Sequence, residues 1–339
     1  MISAYLYNQG NYARSAVNVR ITRCCLKDKQ VVKMKPKPLL SSVLLLTAAI
    51  IWGFAFVAQE KIADTVPPFT VNAIRSLIAS AALIPVAALT RRMRGKRLLE
   101  ETPAGRKKLI KAGVICGVML CISVNLQQFG ISLYPEGAPA SAHSGFLTAL
   151  YIIFVPLFGL FIGKKPGVFV AVAVVLATAG LYFLCLYDGF GSLYLGDAVV
   201  LMCGAAFAVQ ILCVDRFIGE VDGVKLSSMQ FFVTGVLSSI LMLIFEKPDP
   251  EAILAAWAPL MYLALMSSGV GYTLQIIGQK YSSNPALASI LMSMESVFAV
   301  IGGVIFMHAV PSANEWIGCG LMLAAIIIAQ LPRRATRAS

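Results

Sequence analysis

Two ionisable side chains stand deep inside long apolar runs of this 339-residue chain, and they are the first candidates for chemistry. Glu295 lies about ten residues into the run 285–307, roughly 15 Å along a helix that rises about 1.5 Å per residue. A carboxylate is strongly disfavoured in hydrocarbon, so a residue of this kind faces a cavity or a partner. It could take up and release a proton during a transport cycle, or hydrogen-bond across helices as a neutral acid. Arg75 lies about seven residues into the run 68–90, roughly 10 Å deep on the same rise. Three fates are open to it: snorkelling to the near surface, pairing with a carboxylate such as Glu295, or meeting an anionic group of a substrate. These two residues are the expected proton-coupling or ion-pair site.

Neutral polar residues in the same runs form stripes. Asn125, Gln128 and Ser132 recur at spacings of three and four, which places them on one helical face. Ser268, Tyr272, Gln275 and Gln279 share a face in a second run. So do Ser144, Thr148 and Tyr151 in a third, with His143 beside them. Trp52, Gln210 and Gln230 stand in others. From these the expected substrate-binding set is Trp52, Asn125, Gln128, Thr148, Tyr151, Gln210, Tyr272 and Gln275. Such residues either line a water-filled cavity or tie helices together, each interhelical bond being worth about 0.6 kcal/mol on average. A mostly neutral lining suits a small amphipathic or zwitterionic solute better than an inorganic ion.

An enzyme would need more. The two histidines, His143 and His308, are far apart, and the eight cysteines show neither a CxxC pair nor metal-ligand spacing. No nucleophile motif appears, so no catalytic residues, metal or cofactor are expected.

The elements that must position these side chains are membrane spans. Hydrophobic residues make up 58% of the chain and charged residues only 13%, about half the share usual in soluble domains. Mean hydropathy is +0.81. A spanning helix takes about 20 apolar residues. Ten runs qualify, at 39–58, 68–90, 110–133, 139–162, 167–187, 197–215, 225–245, 257–279, 285–307 and 313–331. What remains suffices for loops and tails, not for a soluble catalytic domain.

Charge orients the runs. The formal charge of +12 is concentrated in 1–38, in 91–111 and in alternate loops, whereas the intervening loops carry Glu60, Asp64, Glu136, Asp188, Asp197, Glu246, Asp249, Glu251 and Glu315. Positive loops stay in the cytoplasm, so both termini are expected there, in a bacterial plasma membrane, and no nucleic-acid partner is implied. Residues 1–38 read as a basic cytoplasmic tail or as an over-extended start upstream of Met34. They hold no signal-peptide core.

The runs also repeat. SGFLTALYIIFVPLFGLFIGKKP (144–166) overlays ASILMSMESVFAVIGGVIFMHAV (288–310) at an offset of 144, placing Phe154 on Phe298 and Gly159 on Gly303. At 155, Trp52 meets Phe207, Glu60 meets Asp215 and Arg75 meets Gln230. At 147, Gln128 meets Gln275, while 148 aligns Gln127 with Gln275 and Gly130 with Gly278 instead, leaving that register open by one. Five runs per copy is odd, so the second copy must enter the bilayer inverted. The expected fold is all-α: a polytopic membrane protein of ten transmembrane helices in two inverted five-helix repeats, 39–187 and 197–331, with a short basic tail at 332–339. Secondary transporters are built this way, with the substrate near the midplane.

The segments TAAIIWGFAFVAQ, NAIRSLIA, SGFLTALYIIFVPLFG and LMSMESVFAVIGG, in that order, resemble the EamA-type transporters of the drug/metabolite transporter superfamily over about 40–331. The resemblance implies ten helices, two inverted repeats and movement of metabolites, amino acids or drugs, often outward. Trp52, Arg75 and Glu295 fall on family-typical residues. His143 does not, and GKKP (163–166) and MHAVP (307–311) depart from the glutamate-containing turns usual there. The expectation is therefore a carrier for a small metabolite in the lipid bilayer, monomeric or homodimeric, exporting by alternating access and coupled to protons if Glu295 titrates. The alternative is a channel, or a membrane-embedded enzyme acting on a small or lipidic substrate.

Overall fold

In a computed structural model of the chain, the described residues are 36–94, 102–135, 140–164, 166–185, 194–307, 313–329 and 331. Most of the two basic tails, the centre of the loop after residue 94, the side chain of His143 and the whole of His308 lie outside them. Among the described residues every regular element is helical. In order these are α1 (Pro38–Ala63), α2 (Pro68–Arg94), α3 (Pro103–Ile131), α4 (Ala140–Ala149), α5 (Tyr151–Phe161), α6 (Val168–Cys185), α7 (Leu195–Phe217) and α8 (Gly223–Phe245). There follow α9 (Pro250–Ala255), α10 (Trp257–Met261), a π-helical stretch Tyr262–Gly271, α11 (Tyr272–Tyr281), α12 (Pro285–Met292), α13 (Glu295–Met307) and α14 (Ala313–Ala329).

Among the described residues eight segments are long and apolar enough to cross a membrane: α1, α2, α3, α4 with α5, α7, α8, α10 through α11, and α12 with α13. Two shorter apolar helices, within α6 and α14, occupy the places of the remaining predicted runs. Their outward faces are apolar, with Ile84, Phe161, Val175 and Leu243 all exposed, as lipid contact requires. Helix starts are written locally. Thr102, Asp222, Asp249 and Asn284 each accept backbone N–H bonds from the following turn, and a proline follows three of them.

The packing is two-fold. α2 lies along α8 and α6 along α14, each pair joining corresponding helices of the two halves. α3 packs on α7 and α8, and its counterpart, the π stretch with α11, packs on α1 and α2. α4 and α5 pack on α7 as α12 and α13 pack on α1. Exchanging the halves returns the same set of neighbours. Thr70 meets Glu246, Leu77 meets Gly235 and Ser80 meets Ser228, so α2 and α8 run antiparallel. Corresponding helices therefore run in opposite directions, and the repeats are inverted.

The register left open by the sequence is settled by two glycines. A side chain at Gly130 would strike Val200, and one at Gly278 would strike Leu45. Val200 and Leu45 are 155 apart and the glycines 148 apart, so these are the same contact in the two halves. Gln127, not Gln128, is thus the counterpart of Gln275. The small-residue stripe of α3 faces α8: Gly113 on Met229, Gly117 on Val233, and the Cys121 sulfur 3.8 Å from the Ser238 hydroxyl.

The described loops at one end are mostly basic and those at the other mostly acidic. One end ties Lys108 to Glu220 at 3.4 Å, Arg216 to Glu220 at 3.0 Å, and Lys164 to Asp215. Burial works against the charged form of Glu220, but its Arg216 and Lys108 partners outweigh that and hold the carboxyl below its ordinary 4.5. The other end joins Tyr134 to Asp197 at 2.6 Å and Glu246 to the start of α2.

Candidate functional site

Both halves interrupt their fourth span at the same place. α4 ends at Ala149 and α5 begins at Tyr151, while α12 ends at Met292 and α13 begins at Glu295. Phe154 N–H bonds the Leu150 carbonyl and Phe298 N–H bonds the Met294 carbonyl, matching contacts 144 residues apart. An irregular turn in a membrane helix is tolerated where it lines a cavity. Here the two breaks flank one.

The cavity holds about 470 Å³ of space between atoms, part of it open to the surroundings. It is built largely from matched positions: Trp52 and Phe207, Phe56 and Ile211, Gln127 and Gln275, Thr148 and Met292, Tyr151 and Glu295. Ala55, Gln59, Arg75, Ser267 and Tyr272 complete it. The backbone frame is thus nearly two-fold, whereas the chemistry is not. Arg75 and Glu295 have neutral counterparts in Gln230 and Tyr151.

Arg75 is 2% exposed, so it does not snorkel. Its Nη1 donates to Gln59 Oε1 at 3.0 Å, and among the described residues no carboxylate pairs with it. Its Nε has no hydrogen-bond partner. The Gln59 amide points on to Gln127 Oε1 at 3.5 Å, and Gln127 Nε2 donates to the Thr148 hydroxyl at 3.2 Å. Glu295 is 4% exposed, with Tyr151 beside it. Glu295 and the Tyr151 hydroxyl face each other, and Gln275 Oε1 is buried without a hydrogen-bond partner. Buried polar atoms are ordinarily satisfied, so the open positions on Arg75 and Gln275 leave places for a ligand's polar groups.

Aromatic rings close the middle. Trp52 and Tyr272 lie 4.8 Å apart between ring centres, and Phe231 backs Tyr272 edge-on at 5.2 Å. The Trp52 indole N–H donates to the Ser267 carbonyl at 3.2 Å. Ser267 belongs to the π-helical stretch, whose wider turn sets Ser267 and Tyr272, five residues apart, on the same cavity wall. Ser268, placed with Tyr272 by ordinary helical spacing, is fully buried and does not line the cavity.

The profile of the EamA-like transporter family matches residues 39–186 and again 194–330, most of the chain in two copies. The chain belongs to this family. An "uncharacterized transporter" of Archaeoglobus fulgidus is 25% identical over 299 residues, covering 87% of each chain. The "uncharacterized transporter YwfM" of Bacillus subtilis is 25% identical over 304 residues, covering 86% of this chain and 95% of its own. A solved crystal structure superposes with a TM-score of 0.68 at 21% identity, covering 87% of this chain and 97% of the other, a likeness of fold.

In this EamA-like transporter, seven residues singled out from sequence meet at the cavity: Trp52, Arg75, Thr148, Tyr151, Tyr272, Gln275 and Glu295. Three stand outside its lining. Asn125 clamps helices, donating to Ser238 at 2.8 Å and accepting from Asn72 at 3.0 Å. Gln128 reaches the Gln59 carbonyl at 3.4 Å, and Gln210 accepts from Gln275 at 3.2 Å, one layer behind the wall. Sequence reading passed over Gln59, Phe56, Phe207, Ile211 and Met292. For the last three, the repeat offsets to Trp52, Phe56 and Thr148 are the signal that finds them.

Proposed function

We propose that the protein is a multi-pass carrier of the plasma membrane that moves a small bipolar solute by alternating access, with both termini cytoplasmic. The two inverted halves rock about the α2–α8 and α6–α14 seams around one shared cavity. The observation that carries this reading is a buried guanidinium that no carboxylate pairs with among the described residues, facing a cavity at the two-fold junction of the halves. Such a group favours an anionic substituent, because Arg presents several fixed donors and charge-assisted bonds are the strong ones. The acceptors Gln275 Oε1 and Glu295 Oε1 suit an N–H donor or ammonium at the other end. Trp52, Tyr272 and Phe207 give an apolar or cationic midsection a place to lie. An amino-acid-like or comparable zwitterionic metabolite satisfies all three, and export agrees with the family resemblance. Glu295 is the group we assign to proton coupling.

The test is tolerance and export in cells overexpressing the gene, screened across amino acids and related zwitterions, followed by counterflow in proteoliposomes. Saturable counterflow is expected. Gln275→Ala and Tyr272→Ala are expected to cut it at least about tenfold, the loss of about 1.4 kcal/mol of binding, with folded yield unchanged. Normal counterflow in both variants would move the site elsewhere, and non-saturable conductance would replace the carrier by a channel.

A further inference from the structure

α2 begins without a cap of its own. Its N-cap position is Pro67, which has no side-chain acceptor, and it is followed by Pro68. The corresponding helix of the other half, α8, is capped from within: Asp222, the counterpart of Pro67 at the 155 offset, accepts from Val224 and Lys225 N–H at 3.0 and 3.2 Å. At α2 the same two orphan donors, Phe69 N–H and Thr70 N–H, are taken at 2.7 Å each by the two carboxylate oxygens of Glu246, and the Thr70 hydroxyl adds a third bond at 2.7 Å. Glu246 is the residue immediately after α8, so the bond crosses from one half to the other. Phe69 stacks on Phe129 with ring centres 6.4 Å apart and meets Phe245 at 6.1 Å, gathering α2, α3 and α8 at the same point.

We propose that Glu246 is the latch that holds the two halves together at the acidic end of the molecule. The inference rests on the alternating-access reading above. At the basic end the halves are joined by Lys164–Asp215 and Lys108–Glu220, which also cross between them. Rocking requires that ties at the two ends be made and broken in turn. A carboxylate on a helix N-terminus suits that duty, since it is directional and the freed groups can be hydrated at the membrane surface. Glu246 is half-buried at that surface, where water can replace it. Removing the helix's own cap at Pro67 makes the α2 start depend on the other half. It thereby couples order in α2 to closure, where the α8 start, self-capped, needs no partner.

The test separates a latch from a mere cap. Ala55, a small residue of the cavity wall, is changed to cysteine in a background lacking the native cysteines, and its reaction with a membrane-impermeant charged maleimide is timed in intact cells and in inverted vesicles. Glu246→Ala is expected to raise labelling from the acidic face at least about fivefold, the effect of about 1 kcal/mol of lost closure, and to lower it from the basic face. Adding Pro67→Asp, which writes the Asp-Pro start already used at Asp249-Pro250, re-caps α2 within its own half. That double variant is expected to recover thermal stability while labelling stays raised. If it restores both, or if Glu246→Ala changes neither rate, Glu246 is a helix cap and the latch is wrong. Should Glu246→Ala not fold, the double variant and Glu246→Gln carry the same comparison. A parent protein labelled from neither face, or from one face in every variant, would overturn alternating access itself; labelling from both faces in an unchanged ratio would overturn the latch alone.

Discussion

At the scale of single residues, the asymmetry between Arg75 and its counterpart Gln230 is the most informative difference between the halves. Gln230 is fully buried with both amide atoms unpartnered, so the fold accepts an amide at that position. Arg75→Gln is therefore expected to leave folded yield intact while removing the cation. Counterflow of solutes with an anionic group should fall between about tenfold and a hundredfold, since a bond to a charged group contributes about 1.5–3 kcal/mol; solutes lacking that group should be moved as before or better. Equal loss for both classes would make Arg75 structural. Ionisable and amide residues were legible in the sequence for a physical reason: inside an apolar run they must find a partner or a cavity. The reason does not say which. Asn125 donates to Ser238, Gln210 accepts from Gln275, and Gln128 reaches the Gln59 backbone. Phe207 and Met292 line the cavity yet look like any other lipid-phase residue.

At the scale of elements, helix existence follows from hydropathy and helix starts from the Thr, Asp and Asn caps, both written locally. The interruptions are not. No glycine or proline stands at Leu150 or Met294, where the fourth helix of each half breaks, and the π-helical stretch has a counterpart in α3 that is ordinary α-helix. Neither is written in a run of apolar letters, and each lies against contacts from other helices. One such contact is the Trp52 indole against the Ser267 carbonyl. Close approach, by contrast, has a local signal in Gly113, Gly117 and Cys121 at four-residue spacing. Gly117 in the four-residue stripe leaves room for α8: a β-carbon there would sit 2.7 Å from Val233 Cβ and 2.8 Å from the Gln230 carbonyl. Its own carbonyl accepts from the Thr234 hydroxyl at 3.0 Å. Gly117→Leu should therefore separate α3 from α8 at a cost of about 1–3 kcal/mol or more. Lower monodisperse yield and a lower melting temperature are expected, with substrate affinity of the surviving fraction little changed. Unchanged thermal stability would mean that the α3–α8 contact is looser than the packing requires.

At the scale of the whole molecule, two-fold packing and one-sided chemistry together suggest how a solute could be coupled to a proton. Inverted halves can present one cavity to each face in turn, and a coupling group must be reachable in both states. The break of the fourth helix in each half is such a place, since it sits where the halves meet. Evolution of the pair has left a phenol, Tyr151, on one side and a carboxyl, Glu295, on the other. Of the two, a carboxyl is by far the stronger acid, which is why proton exchange is assigned to Glu295. On that assignment, a cavity lined by both Arg75 and Glu295 changes its net charge by one unit when the proton binds, a change that a substrate's charge could match. In proteoliposomes an imposed pH gradient should then drive net substrate movement by the parent protein. Glu295→Gln, which keeps the shape and a donor, should abolish the response to the gradient while leaving counterflow, a pure exchange, in place. Loss of both would mean that Glu295 serves substrate binding and not coupling, and a parent indifferent to the gradient would leave Tyr151 and Glu295 as a neutral lining of the cavity.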